Sequence, residues 1–228
     1  MKACFRPGRV ACAVALWGAA LAVHAQVAPA ALTCAAGAST TSLTLVTEPA
    51  TWQVRDVTGT PTAWAPAAAA SDPNSGWVAA SGGSSWIGVG ANGLPVADFE
   101  FLREVAVGAS VDTSTLQLAY AFNVDNSLTS LTVNGATMGA SGGSYNNAPT
   151  SGTAAIPDGG AATYPIVARV HNAGGPYGLA MALTISARCR PVAAPAPVPA
   201  NDPTALLALA GLVAAAGGFV AARRRRKI

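Results

Sequence analysis

Short runs of alternating apolar and polar residues, separated by clusters of Gly, Asn, Asp and Pro, fill the chain between Cys34 and Cys189. A period of two places successive side chains on opposite faces of an extended strand, and no helical period is present. The pattern predicts strands at residues 42–47, 51–57, 76–80, 85–89, 98–107, 115–124, 128–133, 163–170 and 179–188. About nine strands without a helix predict an all-β fold, an antiparallel β-sandwich.

Two dipeptides between these strands are typical of tight turns. Asp125-Asn126 and Asn134-Gly135 are residue pairs that accept a positive φ angle. The Gly/Ser/Asn-rich stretch at 139–157 is too polar to pack, so we expect it to form a long loop.

The N-terminus has the three parts of a secretory signal peptide. A basic segment precedes the apolar run at 10–23, and small residues precede Gln26. We expect cleavage between Ala25 and Gln26, which makes residues 1–25 the signal peptide. The alternative is an uncleaved anchor, but the run is shorter than the ~20 residues that span a bilayer.

The C-terminus predicts a membrane anchor. A Pro/Ala-rich spacer at 191–203 precedes the uncharged apolar segment 204–222, whose helix would be about 28 Å long, close to the hydrocarbon thickness of ~30 Å. The basic tail at 223–228 follows at once, with Arg223, Arg224, Arg225 and Arg226. Basic residues keep this end in the cytoplasm. We therefore expect an inner-membrane anchor, with residues 26–190 exported as one extracytoplasmic domain.

Two cysteines remain after removal of the signal peptide. Cys34 and Cys189 lie at the two edges of the predicted domain. A cysteine pair in an oxidising compartment predicts a disulfide. A nucleophilic or metal-binding role is the alternative, but no Cys-x-x-Cys spacing occurs and His171 is the single mature histidine.

The C-terminal segments resemble the sorting tails of the bacterial PEP-CTERM and IPTL-CTERM groups. The match covers the Pro-containing stretch 197–203, the apolar segment and the arginine cluster, with Val198 and Pro199 nearest to the recognition motif of those tails. The resemblance implies that an exosortase-type membrane protease cuts the tail and releases or transfers the domain. A permanent anchor is the alternative.

The region from 77 to 189 resembles the galactose-binding-like jelly-roll domain of PEP-CTERM surface proteins. Matching pieces begin at Asp72-Pro73 and Trp77, continue through 85–88, 99–107, 112–116, 123–126 and 131–135, and end with Val-His-Asn-Ala-Gly-Gly-Pro-Tyr-Gly-Leu at 170–179. The resemblance implies a jelly-roll sandwich in which Trp77 and Trp86 are core residues.

The mature domain is acidic. Between the signal peptide and the tail, five arginines stand against all ten Asp and Glu residues, a net charge of −5. Nucleic-acid binding depends on neutralising phosphates with basic side chains, so nucleic acid is excluded as a partner.

Two aromatic side chains are candidates for a sugar-binding surface. Trp64 lies in a Pro-rich loop and Tyr145 in the Gly/Ser-rich stretch, so both are expected to be exposed. Aromatic rings present flat apolar faces with a polar edge, which suits saccharides.

A Ca²⁺ site is a weaker prediction. Asp125, Asn126 and Asn134 offer oxygen ligands of the kind that this ion prefers. The same residues are equally expected in turns, and this is the favoured interpretation. No other cofactor is indicated.

The sequence gives only a weak indication of a hydrolytic site. Asp56, Asp98, Glu100 and Glu104 are candidate paired carboxylates. Glu100 and Glu104 have an even separation, so we expect them on one solvated strand face. His171 could act as the base of a catalytic triad only with a serine nucleophile, and the sequence contains no Gly-x-Ser-x-Gly motif.

Three functions remain open. The favoured function is non-catalytic binding of envelope or matrix polysaccharide by an exported domain, with the membrane and export machinery as partners. The alternative is a structural or interaction protein of the envelope or biofilm matrix without a small ligand. A glycoside hydrolase ranks last, because the candidate acids have ordinary explanations.

Overall fold

The computed structural model describes residues 27–71, 76–80, 82–90 and 95–191. Over these residues the chain forms strands and no helix. In chain order the strands are β1 (Ala30–Leu32), β2 (Thr40–Val46), β3 (Gln53–Asp56), β4 (Ala65–Pro66), β5 (Ala68–Ala69), β6 (Ile87–Gly88), β7 (Ala97–Val107), β8 (Val111–Asp125), β9 (Ser127–Val133), β10 (Ala136–Thr137), β11 (Thr150–Ala155), β12 (Thr163–Asn172) and β13 (Gly178–Cys189).

The strands form two sheets, which confirms the predicted all-β sandwich. Sheet A has the order β10-β9-β12-β7-β3-β4, and sheet B has the order β11-β8-β13-β6-β5. Two strands join these paths from the side: β2 pairs antiparallel with β13, and β1 pairs with β7 in parallel. All other strand pairings are antiparallel.

The core lies between the two sheets, because alternate side chains of the long strands point inward. Along β12 every second residue is buried, and β13 follows the same alternation over most of its length. The burial of each large side chain stabilises the fold by about 1.5–3 kcal/mol. Side chains with no more than 1% exposure on these inner faces include Phe101, Ile166, Val170, Leu118, Phe122 and Leu183.

The strand predictions were right for the long elements and wrong for several short ones. Eight of the nine predicted strands overlap an observed strand, but residues 76–80 form none. The Val78 N–H donates to the Tyr145 carbonyl at 2.9 Å, and its carbonyl accepts from Trp86 Nε1 at 3.1 Å. The backbone groups of Val78 are thus used by a loop and a side chain rather than by a strand neighbour.

The prediction of one long loop at 139–157 was wrong, because β11 lies inside this range and pairs with β8. Small side chains make this pairing possible. A Cβ atom at Gly152 would collide with the ring of Tyr120, so glycine lets β11 approach that ring. Ala140 and Ile156 are also buried, at 3% exposure each. Four other strands, β1, β4, β5 and β10, were missed because each has only two or three residues.

The predicted disulfide is present. Cys34 and Cys189 are bonded, with Cα atoms 5.8 Å apart. Cys34 lies between β1 and β2, and Cys189 ends β13, so the bond joins the two ends of the described domain.

The two predicted turns differ. Asn134 and Gly135 have φ angles of 49° and 79°, as expected for the turn between β9 and β10. Asp125 and Asn126 also connect two strands, but neither has a positive φ, and the peptide bond between them is cis.

Several predictions concern residues outside the described part of the chain. They are the signal peptide with its cleavage between Ala25 and Gln26, the Asp72-Pro73 match, most of the linker, the membrane segment 204–222 and the sorting residues. The sorting residues are Val198, Pro199, Arg223, Arg224, Arg225 and Arg226. Within the ranges given above, no helix is long and apolar enough to span a membrane.

Candidate functional site

A row of charged side chains crosses the outer face of sheet A. The strand registers place Arg55 on β3 opposite Glu100 on β7, Glu100 opposite Arg169 on β12, and Arg169 opposite Ser130 on β9. Residues paired in this way share one face of a sheet. The neighbouring residues Val54, Phe101 and Ala168 point into the core, so the row faces solvent.

The first part of the row is an ion pair at a fixed geometry. Arg55 donates to Glu100 Oε2 from Nε at 2.9 Å and from Nη2 at 2.6 Å. The two side chains are 29% and 18% exposed. Because both rise from paired strands, the pair holds its polar atoms in place on the sheet surface.

The second part of the row is centred on Asp98. Its Oδ2 accepts a hydrogen bond from Arg169 Nη2 at 2.8 Å, and its Oδ1 lies 2.8 Å from His171 Nδ1. His171 is the register partner of Asp98, so this group lies beside the Arg55–Glu100 pair. The bonds from His171 and Arg169 lower the pKa of Asp98 below its ordinary value, so the carboxylate is charged at neutral pH.

Trp64 extends the row at the edge of the sheet. The register of β3 with β4 continues to place Trp64 opposite Arg55. The Arg55 guanidinium carbon lies 4.2 Å from the centre of the Trp64 ring, a cation–π contact. Trp64 is partly exposed, as predicted for a surface residue. We define the outer-face row as Trp64, Arg55, Glu100, Arg169, Asp98 and His171.

Tyr145 lies in a different place. The loop that contains it is held against the outer face of sheet B, where Asn123 Nδ2 donates to the carbonyls of Ser144 and Asn147 at 3.2 and 3.0 Å. The Tyr145 side chain is partly exposed. The structure therefore places the two predicted aromatic binding residues on opposite sheets and does not bring them together.

Trp77 and Trp86 are not the core residues that the resemblance implied. Their rings stack with centroids 4.3 Å apart, and both side chains are only partly buried. They lie over Gly178, where a Cβ atom would be 2.8 Å from the Trp77 ring. Leu179 points into the core, so Gly178 is on the outer face of sheet B, and the stacked pair lies on that face.

The residues of the predicted Ca²⁺ site are separated. Asn126 and Asn134 flank the two ends of β9, whose seven residues put them roughly 25 Å apart. A Ca²⁺ ion lies about 2.4 Å from each of its ligands, so Asn134 cannot bind the same ion as Asp125 or Asn126. Asp125 instead accepts from Trp77 Nε1 at 2.8 Å and from Asn126 Nδ2 at 2.7 Å. Among the described residues, no group of three or more His, Cys, Asp and Glu is arranged to hold a metal.

Two of the four candidate acids, Glu100 and Asp98, are held by ion-pair partners. Glu100 and Glu104 lie on one strand face, as predicted, and both are partly buried. Glu100 is paired with Arg55, and the pKa of Asp98 is lowered. A glycosidase needs one carboxyl group with a raised pKa to protonate the leaving group, so Asp98 does not suit that role.

His171 lies next to a serine but forms no hydrogen bond with its side chain. Ser127 on β9 is the register partner of His171, yet no hydrogen bond joins the two side chains. A Ser-His-Asp triad requires the serine hydroxyl to donate to the imidazole. The side-chain partner of His171 is therefore Asp98 and not Ser127.

Sequence reasoning found Trp64 but missed its neighbours as a group. Arg55 and Arg169 were seen only as charges in a count, and Asp98, Glu100 and His171 were considered for hydrolysis. Charges at alternate positions of the strand 98–107 were a visible signal. Their partners come from strands 45 to 73 residues away, which no local pattern indicates.

No protein-family model matches the sequence, and no curated protein matches it. The fold is similar to the native structure of a family 35 carbohydrate binding module from Clostridium thermocellum, with a TM-score of 0.35 and 11% sequence identity. The similarity covers 62% of this chain and 97% of that chain. The functional interpretation of this protein therefore depends on the geometry of its own residues.

Proposed function

We propose that this protein binds an envelope or matrix polysaccharide without cleaving it, through the outer-face row on sheet A. The observation that carries the proposal is the Trp64 ring in contact with Arg55, at the end of a continuous line of oriented charged groups. The assignment of the sandwich to the galactose-binding-like jelly-roll type is part of the same proposal.

The chemistry of the row suits a sugar. Carboxylates accept hydrogen bonds from hydroxyl groups and guanidinium groups donate to them, while an aromatic face packs on the apolar face of the ring. Arg55 uses only two of its five N–H groups on Glu100, so others are available to a ligand.

Rigidity favours binding by this surface. Arg55, Glu100, Asp98, Arg169 and His171 all belong to paired strands, and ion pairs hold four of them in one orientation. A surface that is ordered before binding loses less conformational entropy when the ligand arrives.

The experiment compares two aromatic variants of the full chain, purified in mild detergent. Trp64→Ala removes the ring from the row, and Tyr145→Ala is the matched control on the opposite sheet. Affinity electrophoresis against a panel of bacterial polysaccharides measures binding. We expect Trp64→Ala to weaken binding about tenfold, equivalent to about 1.4 kcal/mol, and Tyr145→Ala to leave it unchanged.

Equal binding by wild type and Trp64→Ala would remove the row as the site. The reverse result, with loss only in Tyr145→Ala, would move the site to sheet B. Running each measurement in Ca²⁺ and in EDTA tests the calcium prediction at Asp125 separately.

A second candidate function is that of a structural protein that packs against a partner surface. The outer face of sheet B supports it, since the row Thr153, Ala119, Thr184 and Thr44 is uncharged and built of small side chains. Crosslinking in intact cells would then capture a protein partner, whereas capture of monomer alone would count against this function.

We further propose export and anchoring, on the pattern of the two chain ends. Mass spectrometry of the mature N-terminus should give Gln26. The C-terminal peptide should be present if segment 204–222 is a permanent anchor, and absent if an exosortase-type protease removes it. A mature protein that retains Met1 would contradict the export proposal.

A further inference from the structure

A cleft of about 320 Å³ opens where β3 ends and β7 begins, beside the outer-face row. Ligand sites in proteins start at about 300 Å³, so the cleft has the size of one small chemical group or sugar unit. Arg55 belongs to the row and also lines the cleft, whereas Val54, Asp56 and Phe99 lie on the inner face of the same two strands.

The cleft has an apolar interior. Its apolar lining residues include Phe99, Val54, Ala65, Val89 and Pro95. Phe99 is fixed by stacking on Tyr177, with ring centroids 4.3 Å apart. Sugar hydroxyl groups would lose their water here without gaining partners, at a cost of about 1–3 kcal/mol each. The cleft therefore suits an apolar substituent rather than a bare hydroxylated ring.

One carboxylate lines the cleft. Asp56 Oδ1 accepts from the Thr58 N–H at 2.7 Å, and its backbone N–H donates to Thr62 Oγ1 at 3.0 Å. No hydrogen bond among the described residues uses its Oδ2. Asp56 is one of the residues that line the cleft, and its register partner on β7 is Phe99, which lines it too. Because Thr58 holds Oδ1, Oδ2 is left as the acceptor that Asp56 can offer to a ligand in the cleft.

We propose that this cleft recognises the acetamido group of an N-acetylhexosamine unit in the bound polysaccharide, an inference that rests on the function proposed above. The amide N–H of the ligand donates to Asp56 Oδ2, and the acetyl methyl packs on Phe99 and Ala65. An acetamido group combines one N–H donor with one methyl group, which suits a cleft lined by a carboxylate and apolar side chains. The sugar chain then continues past Arg55, which both lines the cleft and belongs to the outer-face row.

The test compares two ligands that differ only in this group. The probes are the β-1,4-linked hexamers of N-acetylglucosamine and of glucose, and calorimetry with the full chain in mild detergent measures their affinities. One hydrogen bond to a charged group corresponds to roughly tenfold to a hundredfold in affinity, so we expect the acetylated hexamer to bind at least about tenfold more tightly.

Two variants locate the effect in the cleft. Asp56→Asn removes the negative charge and replaces one carboxylate oxygen by an amide NH2 group. Ala63→Phe adds a bulky side chain at an exposed position that lines the cleft. Each should abolish the preference for the acetylated hexamer. The matched control Ala119→Phe adds the same ring at an exposed site on sheet B and should preserve the preference.

Equal affinities for the two hexamers would overturn the inference. If Trp64→Ala then weakens the binding of both hexamers, the proposed function still stands. Binding of neither hexamer would also overturn the inference, and the polysaccharide panel then decides the proposed function by itself. A preference that survives in both Asp56→Asn and Ala63→Phe would show that another surface reads the acetamido group.

Discussion

Asp98 is the residue on which the charged row depends most, since it bonds both Arg169 and His171. These partners lower its pKa in the folded protein, so folding is favoured whenever Asp98 is charged. The contribution is fully present above the unfolded value of 3.8 and is lost as the pH falls through the lower folded value.

We expect Asp98→Asn to lower the free energy of unfolding by about 1 kcal/mol at pH 7, because a partly exposed ion pair and its hydrogen bonds have about this value. The difference from wild type should disappear in strong acid. Urea unfolding at pH 7 and at about pH 2 measures it. Glu48→Gln is the control, since the Glu48 side chain is exposed, and an equal loss there would contradict this account.

At the scale of elements, strand β13 has different neighbours along its length. It pairs with β8 on one side, and with β6 and then β2 on the other. At its first residue, Gly178, the stacked Trp77 and Trp86 rings lie directly on the backbone. The absence of a side chain here lets the segment before β6 pack on sheet B.

Gly178→Ala should therefore destabilise the protein by about 1–3 kcal/mol, the usual cost of forcing an extra methyl group into a packed contact. A Cβ at this position would lie 2.8 Å from Trp77 and 3.2 Å from Trp86. Gly59→Ala is the control, because nothing lies within 4 Å of its Cβ position. Thermal unfolding followed by tryptophan fluorescence measures both. Similar melting temperatures for Gly178→Ala and wild type would mean that the rings move aside at little cost.

Elements could be predicted from sequence where their own pattern was long enough. The apolar alternation runs from Leu116 to Val124 on β8 and from Leu179 to Ile185 on β13, so these strands were identified correctly. Strand β11 was missed, because its small polar residues show an apolar face only when paired with β8. The strand predicted at residues 76–80 was wrong for a different reason. Its apolar side chains pack against the protein, but the backbone N–H of Val78 donates to a loop carbonyl instead of to a neighbouring strand.

At the scale of the whole molecule, the Cys34–Cys189 bond closes a loop of 155 residues. Closing so long a loop restricts the unfolded chain, and the chain-entropy account assigns it about 4–5 kcal/mol. The double variant Cys34→Ala, Cys189→Ala should lose about this much free energy of unfolding in urea. Reduced wild type is the matched control and should resemble the variant. A loss below about 1 kcal/mol in both would show that the two ends are held by strand pairing alone.

The molecule presents different chemistry on its two outer faces. Sheet A carries the Arg55–Glu100, Arg169–Asp98 and His171–Asp98 contacts, whereas the central rows of sheet B carry Thr, Ser, Ala and Val. A ligand with hydroxyl groups and apolar ring faces fits sheet A, and a flat uncharged partner fits sheet B.

The sequence by itself determined the all-β class, the long strands and the disulfide, because each depends on a local period or on a count of cysteines. It also indicated Trp64 as a surface aromatic residue. Only the tertiary structure decided that Arg55, Glu100, Arg169 and Asp98 lie beside that ring. Strand partners are chosen by packing between segments far apart in the chain, so a binding surface built across strands exists only once the sheet has formed.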